Sequence, residues 1–142
     1  MEVYNVSLGS GAELANISTR GLVQTGDNAL IGGLIVGSGA GFDSTKVYLR
    51  ALGPSLPVAN ALSDPNLELH DGNGTLIDSN DNWKTRPDGS SQQAEIEATT
   101  IPPTDDSESA LLETLPPGNY TAIVRGKDSL IGVGLVEVYN LP

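Results

Sequence analysis

The residues best equipped for chemistry stand close together. Asp78, Asn80 and Asn82 occupy alternate positions, with Asp81 between them. Carboxylate and amide oxygens at that spacing suit a hard cation such as Ca²⁺. A helix-flanked calcium loop would next require a glycine and, at its twelfth position, a glutamate. Trp83 and Gly89 stand there instead, so that loop type is excluded. A second acidic turn, Asp105-Asp106-Ser107-Glu108, would supply further ligands if it lay nearby. The competing reading is two solvated loops whose Asn and Asp side chains cap turns. Trp83, the single tryptophan, is the one candidate in this stretch for stacking on a bound ligand.

Catalytic chemistry has little to work with. The chain has one histidine, His70, and no cysteine. It has no G-x-S-x-G nucleophile motif. Its acids fall in turns rather than on facing strands, so paired-carboxylate chemistry is not expected. Gly37-Ser38-Gly39-Ala40-Gly41 imitates a phosphate loop but leads into a strand. The helix N-terminus that would supply donors and a dipole is missing. We therefore expect no enzyme and no cofactor beyond Ca²⁺.

Seven basic residues against 18 acidic ones give a net charge of −11. Such a surface repels phosphate backbones and anionic lipid, so nucleic acid is not an expected partner. No apolar run reaches 18 residues, so no membrane insertion is expected. No basic segment followed by an apolar one marks a signal peptide. With so few cations, Arg20, Arg50 and Arg125 are expected to pair with acids or to bond carbonyls at sheet ends.

The elements that must position these residues read as strands. Gly (17) and Pro (9) punctuate short apolar runs rich in β-branched residues. Leu30 to Val36 reads as a buried strand, its Gly32 and Gly33 suggesting a bulge or a close backbone approach. Lys46 to Leu52 alternates, with Val47, Leu49 and Ala51 on one face and Tyr48, Arg50 and Leu52 on the other. The two look like a hairpin. Pro57 to Leu62 reads as a helical turn or two. Asn66 to His70 places Leu67 and Leu69 inward, and Asp71-Gly72-Asn73-Gly74 turns it back into a partner strand at Thr75 to Ser79. Residues 78–92 form a polar loop that Trp83 should anchor to the body. Gln93 to Thr99 fits either a strand or a short helix. Strands follow at Ala110 to Leu115, Tyr120 to Arg125 and Val133 to Tyr139. Nine or ten short strands with turns every eight to twelve residues predict an all-β antiparallel sandwich, jelly-roll-like, as a single domain over 1–142.

The termini echo each other. Glu2-Val3-Tyr4-Asn5-Val6 returns as Glu137-Val138-Tyr139-Asn140-Leu141, an offset of 135 residues. A near-full-length offset marks a unit cut from a head-to-tail array. Residues 1–12 then form a strand and linker echoing the terminal strand at 136–141. A chain with a surplus strand can add it to a neighbour's open edge. The alternative is an inter-repeat linker with no assembly role.

Several segments, in order, resemble an uncharacterised repeat domain of large secreted proteins from environmental bacteria. They are Leu14 to Gly21 (LANISTRG), Leu30 to Val36, Arg50 to Leu56 (RALGPSL), Leu67 to Asp71, Ser79 to Trp83 (SNDNW) and Thr121 to Gly126. The second half, 66–139, is similar to bacterial pre-peptidase C-terminal domains, notably at Leu115-Pro116-Pro117-Gly118-Asn119-Tyr120. The resemblance implies an extracellular or cell-surface β-sandwich with an accessory or structural role, sometimes Ca²⁺-binding. The expectation is a structural module that assembles end to end with copies of itself, in tandem or as a polymer, through the EVYNV strand. The alternative is a non-catalytic glycan- or cell-surface-binding module dependent on Ca²⁺.

Overall fold

A computed structural model describes residues 16–37 and 44–141. Eight strands fill it: β1 (Asn16–Val23), β2 (Leu30–Val36), β3 (Thr45–Leu52), β4 (Pro65–Asp71), β5 (Leu76–Asn80), β6 (Ser109–Leu115), β7 (Gly118–Gly126) and β8 (Gly132–Leu141). They form two four-stranded antiparallel sheets, sheet A in the order β1-β8-β3-β6 and sheet B in the order β2-β7-β4-β5. Each strand from β1 to β4 has its counterpart from β8 to β5 beside it, shifted between sheets. This is the strand order of a jelly roll, two Greek keys packed face to face.

The period-two alternation of the strands builds the core. Val47, Leu49, Ala51, Val136 and Val138 point in from sheet A, and Leu30, Leu34, Leu67, Leu69, Ala122 and Val124 from sheet B. At 25 cal/mol per Å², burying each Leu or Val contributes about 1.5–3 kcal/mol.

Four expectations change. The strands number eight among the described residues, not nine or ten. β2 and β3 are no hairpin, because β2 pairs with β7 in sheet B while β3 lies between β6 and β8 in sheet A. Local alternation specifies faces, not partners, and the jelly roll sends consecutive strands to opposite sheets. Gly32 and Gly33 make no bulge, since β2 runs in unbroken register with β7 from Leu30↔Val124 to Val36↔Gly118. Residues 57–62 form turns rather than a helix. Gln93 to Thr99 resolves into a short helix, α1 (Gln93–Glu97), running on into turns. The 66–80 hairpin stands as expected, with one register shift between Leu69 and His70.

One connection shapes the rest. The chain from β5 to β6, residues 81–108, crosses the outer face of sheet A. It lays Trp83, Ile96 and Ile101 against Tyr48, Ala110, Leu112, Tyr139 and Leu141, a second core outside the sandwich.

Candidate functional site

The carboxy-terminal EVYN lies in the middle of sheet A. Glu137 sits opposite Ser18 of β1 and Arg50 of β3, and Tyr139 opposite Asn16 and Tyr48. Strand alternation turns Val136 and Val138 into the main core and Glu137 and Tyr139 onto the outer face. There the crossing segment closes over them.

The result is a closed polar network. Arg50 Nε donates to Glu137 Oε1 at 2.9 Å, and Nη2 reaches the same oxygen at 2.7 Å. The Tyr139 hydroxyl donates to Glu137 Oε2 at 2.7 Å. Arg50 Nη1 and the Tyr48 hydroxyl both donate to the carbonyl of Ile101, at 2.9 and 3.0 Å. The two tyrosine rings stack at 5.9 Å, and the Arg50 guanidinium lies 5.6 Å from the Tyr139 ring centre. Burial, helped by the neighbouring Glu137 charge, raises the Tyr48 hydroxyl above its ordinary range. Burial, then the bond to Glu137, raises Tyr139 likewise. Burial opposes the charge on Arg50, but the Glu137 carboxylate outweighs it and holds the guanidinium protonated.

A second anchor ties RALGPSL to the acidic turn. Glu108 is fully buried. Its Oε2 accepts from Gly53 N (2.8 Å), Ser55 N (3.1 Å) and Ser55 Oγ (2.6 Å), and its Oε1 from Asp105 N (3.2 Å). A carboxylate with several N–H and O–H donors can be buried without a cation. Gly53 admits no side chain, because a Cβ there would stand 1.9 Å from the Leu62 carbonyl oxygen.

The proposed metal ligands do not converge. Asn80 is buried, its amide donating to Thr85 O (2.9 Å) and its Oδ1 accepting from Ala110 N (3.0 Å). Asp81 binds Lys127 Nζ at 2.7 Å. Asp78 accepts from its neighbour Ser79 N at 2.8 Å and lies beside Glu113. Asn82 is exposed. In the second acidic turn, Asp105 caps Ser107, Asp106 pairs with Lys84 at 2.8 Å, and Glu108 faces inward. Among the described residues no three His, Asp or Glu side chains are grouped to hold a metal ion. The D-x-N-x-N spacing therefore reads as turn and cap chemistry, with Asn80 the hub.

Trp83 anchors its loop as expected, and so offers no stacking platform. It is 4% exposed, its N–H donates from the backbone to Glu108 O, and Lys84 covers its ring at 5.4 Å. His70 bonds Glu68 at 2.8 Å, which raises its affinity for a proton. Arg125 donates to Gly26 O at 2.9 Å, a carbonyl at a sheet end as expected. In the second half, the Tyr120 hydroxyl donates to Pro116 O at 2.6 Å and closes the Leu-Pro-Pro-Gly-Asn-Tyr turn.

Two expected features lie outside the described residues: the amino-terminal strand Glu2, Val3, Tyr4, Asn5 and Val6, and the glycine-rich turn from residue 38 to 43. The sequence reading passed over β1, whose Asn16–Val23 alternates Ile17, Thr19, Gly21 and Val23 toward the core. Its small and polar inward residues hid the period. Glu108 it read only as a further cation ligand in the acidic turn, not as the buried acceptor for Gly53, Ser55 and Asp105.

The fold and these anchors define a jelly-roll β-sandwich with a second core strapped to one face. No family model matches the chain, and no curated protein sequence matches it.

Proposed function

We propose that the protein is a structural extracellular or cell-surface module that assembles end to end with copies of itself by strand pairing through its amino-terminal EVYNV. The observation that carries this reading is the place of the carboxy-terminal copy. That EVYN is an interior strand, paired on both sides and pinned by Arg50 and Tyr48. The fold has a defined use for one copy, and the chain carries two.

The geometry of the termini supports the same reading. β1 begins opposite Tyr139, so the chain enters the sandwich at the pole where β8 ends. Residues 7–15 separate Val6 from β1, and nine residues span at most about 30–32 Å. That reach lets Glu2 to Val6 pair with a neighbour's open edge. A donated strand gains main-chain hydrogen bonds along its length, and alternate side chains set its register. The binding-module alternative loses its aromatic platform with the burial of Trp83.

Negative-stain microscopy and sedimentation of the full chain, beside a variant lacking residues 1–6, test the proposal. The expected result is filaments or higher oligomers in the full chain and a folded protein without filaments in the deletion. Filaments that persist in the deletion would overturn it, as would dispersed single domains in both.

A further inference from the structure

The two sheets end in four edge strands among the described residues: β1, β6, β2 and β5. Natural edges are protected by charge, proline, bulges or short length. β1 carries Arg20, and β6 carries Glu113. β5 is only five residues long, carries Asp78 and has the register shift. β2 has none of these devices. Its seven residues, Leu-Ile-Gly-Gly-Leu-Ile-Val, hold no charge and no proline and run without a bulge. On its outer face stand Ile31, 51% exposed, and Ile35, 78% exposed, with Gly33 between them. Ile31 lies beside Ile123 of β7, which extends the apolar strip inward.

We infer that β2 is an interface strand, and that its partner is β2 of a second copy, paired antiparallel about a two-fold axis through Gly33. The sequence is self-complementary in that register. Gly33 meets Gly33 of the partner subunit, and Ile31 of each copy meets Ile35 of the other. The outer face then carries two Ile31–Ile35 pairs, one on either side of the paired glycines, each with an Ile123 side chain beside its Ile31. On the inner side Leu30 meets Val36 and Gly32 meets Leu34. A one-residue slip would turn the isoleucines away from each other, so the pairing is strongly registered. The two sheets B join into one eight-stranded sheet, an isologous contact that closes on itself. This interface uses no residue before Leu30, so removing residues 1–6 leaves it intact.

The net charge of −11 on each copy opposes the association, and β2 carries none of it. Salt should therefore strengthen the dimer by screening the repulsion.

Sedimentation equilibrium of the full chain, of Ile35→Lys and of the chain lacking residues 1–6 is the primary test. The expected result is a two-fold dimer that survives the deletion, tightens with salt and is weakened at least tenfold by Ile35→Lys. Ile35 is exposed, so at a dilution where the parent is monomeric this variant should keep its melting temperature. The chain has no cysteine, which allows a positional check. Gly33→Cys should give a disulfide-linked dimer under mild oxidation. Ile31→Cys should not, since the two copies of residue 31 would lie about 13 Å apart, four residues at the strand rise. A monomer at all concentrations, a dimer indifferent to Ile35→Lys, or crosslinking through residue 31 in preference to 33 would each overturn the inference.

Discussion

The outer faces of the two sheets begin from the same pattern and end differently. In both, alternate residues point away from the core. On sheet A those residues include Tyr48, Arg50, Glu137 and Tyr139, and the 81–108 crossing covers them. On sheet B they include Ile31, Ile35, Glu68 and His70, and no described segment crosses them. Where it meets the strap the covered face combines an apolar cluster with the Arg50–Glu137–Tyr139 network, and the uncovered face is apolar along one edge. Polar side chains become specific anchors once water is excluded and each finds a partner. Apolar ones left in water are available to another surface. The outer face of sheet A thus adds to internal stability, and the outer face of sheet B leaves a surface for association.

The sharpest break of that contrast is at Glu108. Replacing it with alanine leaves the backbone N–H groups of Gly53, Ser55 and Asp105 without their acceptor. Each buried orphan costs about 1–3 kcal/mol, so Glu108→Ala should lose about 3–5 kcal/mol in urea unfolding. Glu108→Gln, which keeps an acceptor oxygen, should lose less than half of that. Equal losses in the two variants would show that the charge, not the acceptor, holds the turn.

Next comes the pair under the strap. Arg50→Ala leaves Glu137 nearly buried with only the Tyr139 hydroxyl, and should cost about 3 kcal/mol. A double-mutant cycle of Arg50→Ala with Glu137→Ala should return a coupling of about 1–3 kcal/mol. A coupling near zero would mean the strap holds by Trp83 and Ile96 alone, and the EVYN strand would lose its specific anchor.

A smaller effect sits at the rim, between β5 and β6. Burial, reinforced by the adjacent Asp78, pushes the Glu113 carboxyl up to about 8. The folded protein then binds a proton more tightly than the unfolded chain between pH 4.5 and 8. Stability contributed by this group is present below that window and is lost as pH rises through it. Glu113→Gln should flatten the fall in melting temperature between pH 5 and 8, and stabilise at pH 8 by about 1–2 kcal/mol after allowing for solvent screening. An unchanged pH profile would show that burial beside Asp78 does not raise the Glu113 carboxyl.

Faces were legible in the sequence, and partners were not. The alternation of Lys46–Leu52 correctly placed Val47, Leu49 and Ala51 opposite Tyr48, Arg50 and Leu52. It could not say that both faces would be buried, because the covering segment lies some 30 to 50 residues downstream. The supposed β2–β3 hairpin failed for the same reason, since pairing in a jelly roll is decided by distant strands. Asp78, Asn80, Asp81 and Asn82 had the composition of a metal loop, but Asn80 is drawn into the sandwich by Ala110, and Asp81 pairs with Lys127 at the surface. Spacing along the chain gives a candidate ligand set only if the side chains converge. The Glu137–Arg50 pair was half legible: Arg50 was expected to find an acid or a carbonyl, and the carboxy-terminal EVYN was expected to lie in a strand.

The smallest expected effect tests the uncovered face. Ile35→Ser removes a large apolar side chain from a position 78% exposed, and should change stability by less than about 0.5 kcal/mol. Trp83→Ala, on the covered face, should cost about 3–5 kcal/mol by the same measurement. Both should be read at a dilution where the parent chain is monomeric, so that folding and association are separated. Serine at 35 also lowers the apolar area that a second copy would cover, so its effect should appear on raising the protein concentration. If Ile35→Ser instead costs 2 kcal/mol in the dilute monomer, the face of sheet B is packed within one copy. The contrast between the two faces would then fail, and with it the reason to regard β2 as a surface kept for another molecule.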